Sequence, residues 1–139
     1  MQIRDPGAIL KNAGFRATKP RLLLLELLEK SHTPLSIHDI VAKLINDDID
    51  RVTVYRSIEA FVRIGVVREV DFQGQLARYE LPDTEYDHHH IVCTKCHKIE
   101  DFIGCDVERI EKKALHQSRS FSRISSHSFD LYGLCNSCA

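Results

Sequence analysis

The chain of 139 residues lacks a long apolar run, so no segment reads as a membrane span, and it lacks a signal-peptide pattern. A soluble, cytoplasmic protein without membrane partner is the expectation. It also lacks net charge: 19 Lys and Arg stand against 20 Asp and Glu, for a formal −1, and whole-chain charge does not announce a nucleic-acid binder. Repeats and low-complexity segments are missing too. So is a nucleophile constellation. A catalytic zinc needs an open coordination position and a nearby general base, and the ligand sets described below look saturating. Neither an enzyme nor a small-molecule substrate is expected.

What the chain does have is cysteine in pairs. Cys93/Cys96 and Cys135/Cys138 form two Cys-x-x-Cys motifs, and Asp87-His88-His89-His90 sits directly before the first. In a reducing compartment such pairs signal zinc (Zn2+) more often than disulfides. Four thiolates complete a tetrahedral set, which makes the site structural. A thiol redox pair would want a thioredoxin-like βαβ setting that is not evident. The His/Asp run is a different ligand set, imidazole mixed with carboxylate, suited to a metal that comes and goes. In a strand, His88 and His90 would share one face while His89, with Asp87, takes the other. The fifth cysteine, Cys105, is unpaired by spacing. It reads either as a small buried apolar residue or as a soft ligand near a second site.

The chain divides near residue 84, into 1–83 and 84–139. Upstream, the leucine-rich stretch from Pro20 to Leu28 predicts a helix with Pro20 in its first turn. Ser36-Ile37-His38-Asp39 is a capping box with Asp in the usual Glu/Gln place, opening a helix that buries Ile40, Leu44 and Val41. Asp50 caps a third helix, running through Val52, Tyr55, Ile58, Phe61 and Val62 to a stop at Gly65. Val66–Phe72, the turn Gln73-Gly74-Gln75 and Leu76–Leu81 predict a β-hairpin. Helix, turn, helix and hairpin make a winged helix-turn-helix, whose second paired helix would enter the DNA major groove. Arg51, Arg56, Arg63 and Arg68 there are offset only by Glu59, and Arg4, Lys11, Arg16, Lys19 and Arg21 only by Asp5. The near-neutral total thus hides two basic stretches that could contact phosphates. Helix-turn-helix shapes also serve as protein-interaction modules, and that alternative stays open.

Downstream, Ile91–Cys93 and Lys98–Ile103 read as strands flanking the first cysteine pair, Asp106–Gln117 as a helix, and Phe121–Ile124 and Ser128–Leu131 as strand-like. The fold class expected is α+β: an N-terminal winged helix-turn-helix followed by a small α/β domain.

The chain resembles the Fur (ferric uptake regulator) family of bacterial metal-dependent transcription regulators over nearly its whole length. The matching pieces are Ala13-Gly14-Phe15-Arg16-Ala17-Thr18 followed by Pro20-Arg21, Thr53-Val54-Tyr55-Arg56, and His88-His89-His90-Ile91-Val92-Cys93 with Cys96. Others are Ser126-His127-Ser128, Tyr132-Gly133 and the terminal cysteine pair. The resemblance implies a homodimer whose winged helices bind double-stranded DNA at an inverted-repeat, palindromic operator and whose C-terminal domain dimerises. Metal binding between the domains would favour DNA binding. Arg16, Arg21, Thr53, Tyr55 and Arg56 are then the DNA-binding residues.

The family's four-cysteine zinc site maps onto Cys93, Cys96, Cys135 and Cys138. Its sensing site maps onto Glu80, His88 and His90, with Asp101 matching a carboxylate that some members use. Pro34 stands where the family's fourth ligand, a His, usually lies; His32 is the nearest substitute and His38 a further one. A second site in the dimerisation domain would read Asp87, His89, Glu108 and His127, with the first His and Asp exchanged in order. Such His/carboxylate sites accept iron(II) (Fe2+), manganese (Mn2+), zinc or nickel. Zinc sensors of the family commonly place a Cys where Glu80 stands, so the resemblance implies an iron(II)-sensing repressor. A zinc-sensing or peroxide-sensing member is the alternative.

Overall fold

The computed structural model describes residues 4–74, 76–82 and 88–139. They fall into two compact units, Met1–Pro82 and Asp83–Ala139.

The first unit opens on a helix that the sequence reading did not predict, α1 (Pro6–Asn12). Its signals were present: Asp5 caps it through Gly7 N–H, 3.0 Å away, and a proline occupies the first turn. α2 (Lys19–Lys30) buries Leu24, Leu25 and Leu28. β1 (Leu35–Ser36) leads into α3 (Ile37–Leu44), where the predicted capping box is complete. Asp39 N–H donates to Ser36 Oγ at 3.1 Å, and Ser36 N–H donates back to the Asp39 carboxylate at 3.1 Å. Ile40, Val41 and Leu44 are buried as expected.

α4 (Arg51–Arg63) begins at Asp50, whose carboxylate accepts Thr53 N–H at 2.7 Å. Hydrogen bonds from Thr53 hold the Asp50 carboxyl below its ordinary pKa, so this cap is intact above the ordinary carboxylate range and is lost as pH falls through the depressed value. The core stripe of α4 differs from the expectation. Val54, Ile58 and Phe61 are buried, whereas Val52 and Tyr55 stand 55% and 48% exposed. Val54 replaces Val52 because the i, i+4, i+7 spacing to Ile58 and Phe61 selects one face of the helix.

The hairpin is shorter than predicted: β2 (Arg68–Val70) and β3 (Arg78–Glu80). Gln73 and Gly74 turn through φ of 51° and 76°, and Asp71 accepts Gly74 N–H at 3.0 Å. Gln75 of the expected turn lies outside the described residues. The sheet has the antiparallel order β1-β3-β2. Two-residue β1 is too short for any periodicity and exists through its pairing with Arg78 and Tyr79. One core joins the three main helices and the wing and includes the fully buried Phe61, whose ring packs edge-to-face with Phe15 at 5.3 Å between centroids.

In the second unit β4 (His88–Cys93) is central, pairing antiparallel with β5 (Ile99–Ile103) and parallel with β6 (Asp130–Gly133), in the order β5-β4-β6. α5 (Val107–Gln117) supplies the crossover. The strand expected over Phe121–Ile124 is irregular chain instead. The Ser118 hydroxyl accepts Ser120 and Phe121 N–H at 3.2 and 2.9 Å, turning the backbone away from a strand path. The last strand starts at Asp130, not Ser128, because its register is set by β4. Val92, Cys93 and Ile99 are its buried apolar residues among those described, and α5 buries none.

Phe61→Ala is expected to cost about 3–5 kcal/mol, since a fully buried ring leaves a cavity that helix packing cannot collapse. Ser36→Ala is expected to cost about 1 kcal/mol through the lost cap. Urea unfolding of the purified protein measures both; a loss below about 1 kcal/mol for Phe61→Ala would place the core elsewhere.

Candidate metal centres and nucleic-acid interface

The paired cysteines converge. The parallel register sets Cys93 opposite Gly133, and Thr94 N–H bonds the Gly133 carbonyl at 2.8 Å. The chain then turns so that Cys135 N–H approaches Cys93 Sγ at 3.4 Å. Each pair sits in a tight turn, with His97 N–H to the Cys93 carbonyl and Cys138 N–H to the Cys135 carbonyl, both 3.0 Å. The four sulfurs lie within 4.8 Å of one another. Cys96 and Cys135 Sγ are 3.6 Å apart, far beyond a disulfide bond and close to the separation of about 3.8 Å that Zn–S bonds of about 2.3 Å impose in a tetrahedron.

The thiols are not equivalent. N–H donors of Cys96 and Cys135 aimed at its sulfur pull the Cys93 thiol down to about 5, so it is ionised at neutral pH. Cys138 is pushed up to about 12, chiefly by its hydrogen bonds to the Cys135 and Cys96 sulfurs. Donor chemistry and geometry fit a structural zinc, which would displace the proton on Cys138.

The histidine run divides as strand alternation requires. On one face, the His88 and His90 rings meet edge-on, 5.1 Å between centroids. His90 is buried between its two register partners: Asp101 on β5 lies 3.6 Å from Nε2 and Asp130 on β6 lies 3.4 Å from Nδ1. On the other face, His89 Nε2 lies 2.7 Å from Cys105 Sγ, and its ring lies 5.3 Å from that of His127. His89, Cys105 and His127 bring one ligand atom each within 4.8 Å. Of the other residues expected in that site, Asp87 lies outside the described residues. Glu108 is exposed on α5, and Glu111, one turn on, is the carboxylate beside His127, at 3.8 Å. Sequence reasoning missed Asp130 and Glu111, because both reach their partners through non-local pairing.

In the first unit, Glu80 is buried on β3 and paired with Arg68 on β2, with Arg68 Nε at 3.1 Å. His32 and His38 are exposed. Tyr55 and Arg56 project from the exposed side of α4's first turns, with Val52 beside them. Thr53 is half-buried, its N–H spent on the Asp50 cap. Arg16 is exposed, while Arg21 lies over the Phe15 ring at 5.0 Å and bonds the Arg16 carbonyl at 3.1 Å.

A winged helix with an exposed Tyr55–Arg56 edge, in one chain with clustered thiols and imidazoles, is the make-up of a metal-linked DNA-binding protein. The chain belongs to the ferric uptake regulator family, whose model matches residues 12–132. It is 35% identical over 131 residues to the ferric uptake regulation protein of Cupriavidus metallidurans, covering 92% of this chain and 90% of that one. It is 31% identical over 139 residues to the peroxide-responsive repressor PerR of Staphylococcus saprophyticus, covering 99% and 91%. The crystal structure of the Vibrio cholerae ferric uptake regulator superposes with a TM-score of 0.79 at 31% identity, over 94% of this chain and 100% of that one.

Cys138→Ser is expected to lower the tightly held zinc by one equivalent per chain and to destabilise the second unit, as read by metal analysis and thermal melting. Because ligation displaces thiol protons, zinc uptake should release protons and affinity should fall as pH falls. Unchanged zinc content and melting in the variant would refute the assignment.

Proposed function

We propose that this protein is a metal-responsive transcriptional repressor, binding an inverted-repeat operator as a metal-loaded homodimer in the cytoplasm and sensing iron(II). The observation that carries this is the pairing, in one member of this family, of an exposed recognition edge with a metal-ligand run at the entry to the second unit.

The regulatory site in this reading comprises Glu80, His88 and His90, completed by Asp101 or by His32. Glu80 ends β3 and His88 begins β4. A metal held by both would fix the connecting segment 82–87 in one arrangement, of which residues 83–87 lie outside the described set. The Vibrio cholerae relative is described by a rearrangement of its DNA-binding domains, which supports a joint that moves. Two winged helices engage two half-sites only when their spacing matches the DNA repeat. Metal that prefers that arrangement raises DNA affinity, and DNA tightens metal binding by the same factor. His90 supports the reading from inside the second unit: Asp130 at Nδ1 can hold that nitrogen's proton and leave Nε2 for a cation. Arg68 would have to yield part of the Glu80 carboxylate.

Dimerisation has its own support. Ile103, Ile110 and Phe121 of the second unit are 68%, 61% and 73% exposed, more apolar surface than so thin a core leaves idle. For DNA, Tyr55 and Arg56 reach base edges, Val52 suits a thymine methyl, and Arg16 and Arg21 hold the backbone. Identity to PerR over the full chain favours one second reading, a peroxide response of the iron-loaded protein.

The deciding experiment is anaerobic DNA binding titrated with iron(II), manganese and zinc. His90→Ala is expected to keep the dimer and the four-cysteine zinc but lose metal-stimulated binding; a wild-type response moves the switch elsewhere. Arg56→Ala should cost about 1–3 kcal/mol on the cognate site, while Arg21→Ala should weaken all sequences alike and flatten the salt slope. Salt-insensitive binding without palindrome preference would instead favour a zinc-stapled protein-interaction module.

A further inference from the structure

We propose that His89, Cys105 and His127 form a mixed nitrogen–sulfur site for zinc, closed by Glu111, that discriminates against manganese and iron(II). This site is separate from the four-cysteine cluster and from the His88/His90 face of β4. It stands on direct metal chemistry, whether or not the chain binds DNA.

Three segments bring the donors together. His89 comes from β4, Cys105 from the chain just after β5, and His127 from the approach to β6. Gly104, at φ 99°, supplies the backbone turn that aims Cys105 at the strand. Ligand atoms of the three already lie within 4.8 Å. Around a tetrahedral zinc, with Zn–N about 2.0 Å and Zn–S about 2.3 Å, such atoms stand roughly 3.3–3.5 Å apart. The His89–Cys105 pair, at 2.7 Å, needs to open slightly, and Glu111, 3.8 Å from His127 Nδ1 and outside that three-residue group, has to swing inward to close the set.

The surroundings favour a cation of low net site charge. His89 is buried, its ring 5.5 Å from Phe102 and 5.6 Å from Phe129. A cleft of about 330 Å³ bordered by those phenylalanines, Ile110, Cys105, Glu111 and His127 lies against the cluster. In this weakly polar pocket a divalent ion with one thiolate and one carboxylate is neutral overall, which limits the desolvation cost. The thiolate decides selectivity. Sulfur prefers zinc, whereas manganese prefers oxygen, and iron(II) stands below zinc in general affinity. A carboxylate in place of Cys105 would make the set more tolerant of both.

The test uses the full-length protein, carrying zinc in its four-cysteine site, titrated anaerobically with cobalt(II) as a spectroscopic probe and with zinc against manganese competition. Wild type is expected to bind a further equivalent with a sulfur-to-cobalt charge-transfer band and to keep zinc against excess manganese. Cys105→Ser should abolish that band and weaken this zinc by more than the 10–100-fold typical of losing an outer-shell partner. Cys105→Asp should retain an equivalent without the band and narrow the zinc-to-manganese preference. Glu111→Gln should weaken it and Glu108→Gln should not. Circular dichroism and the four-cysteine zinc content establish that each variant is folded. Cobalt spectra and zinc affinity unchanged in folded Cys105→Ser would overturn the proposal, as would a Glu108→Gln loss exceeding that of Glu111→Gln, which would return the site to a carboxylate set.

Discussion

The docking of β6 beside β4 is the constraint on which the second unit depends. Its buried apolar residues are few, Val92, Cys93 and Ile99 among those described, and α5 buries no side chain. A parallel strand pair also needs a long crossover, whose closure entropy must be offset by something local. A zinc held by the cysteine quartet would do this, tying the chain after β6 to the end of β4. In small zinc domains the metal contributes on the order of 10–16 kcal/mol, comparable with the whole stability of an ordinary domain.

That docking also builds the sites. Once Cys93 is registered on Gly133, His90 must face Asp130, and the approach to β6 carries His127 toward His89. A change at the cysteines would therefore reach both histidine clusters without touching either. β4 then serves two surfaces at once. Its period of two turns three adjacent histidines into a pair on one face, of which His90 is flanked by two aspartates, and a thiol-facing residue on the other.

The first unit solves a different problem, holding the proposed recognition edge rigid. Reciprocal bonds at Ser36 and Asp39, and the Asp50 cap, fix where α3 and α4 begin. The buried Val54, Ile58 and Phe61 then fix the rotation of α4, which leaves Val52, Tyr55 and Arg56 outward. Arg21 is ordered by the Phe15 ring and the Arg16 carbonyl, so its positive group is held at reduced entropic cost.

Local chemistry was legible in the sequence. Capping residues, the leucine-rich helix, the wing turn at Gly74 and the two cysteine pairs each carry their meaning within a few neighbours, and four thiolates in two pairs mark a candidate zinc set from ligand type alone. Alternation along β4 was legible for the same reason. Elements fixed by distant partners were not. Two-residue β1 depends on β3, the start of β6 depends on β4, and Ser118 redirects a stretch that its composition marks as strand. So too with the sites: the sequence named Glu108 and left Cys105 between core residue and ligand, but helix phase and the path before β6 put Glu111 beside His127, and the turn after β5 puts Cys105 beside His89. Ligand type is a property of residues, whereas which ligands meet is decided by pairings across tens of residues, and those exist only in the folded chain.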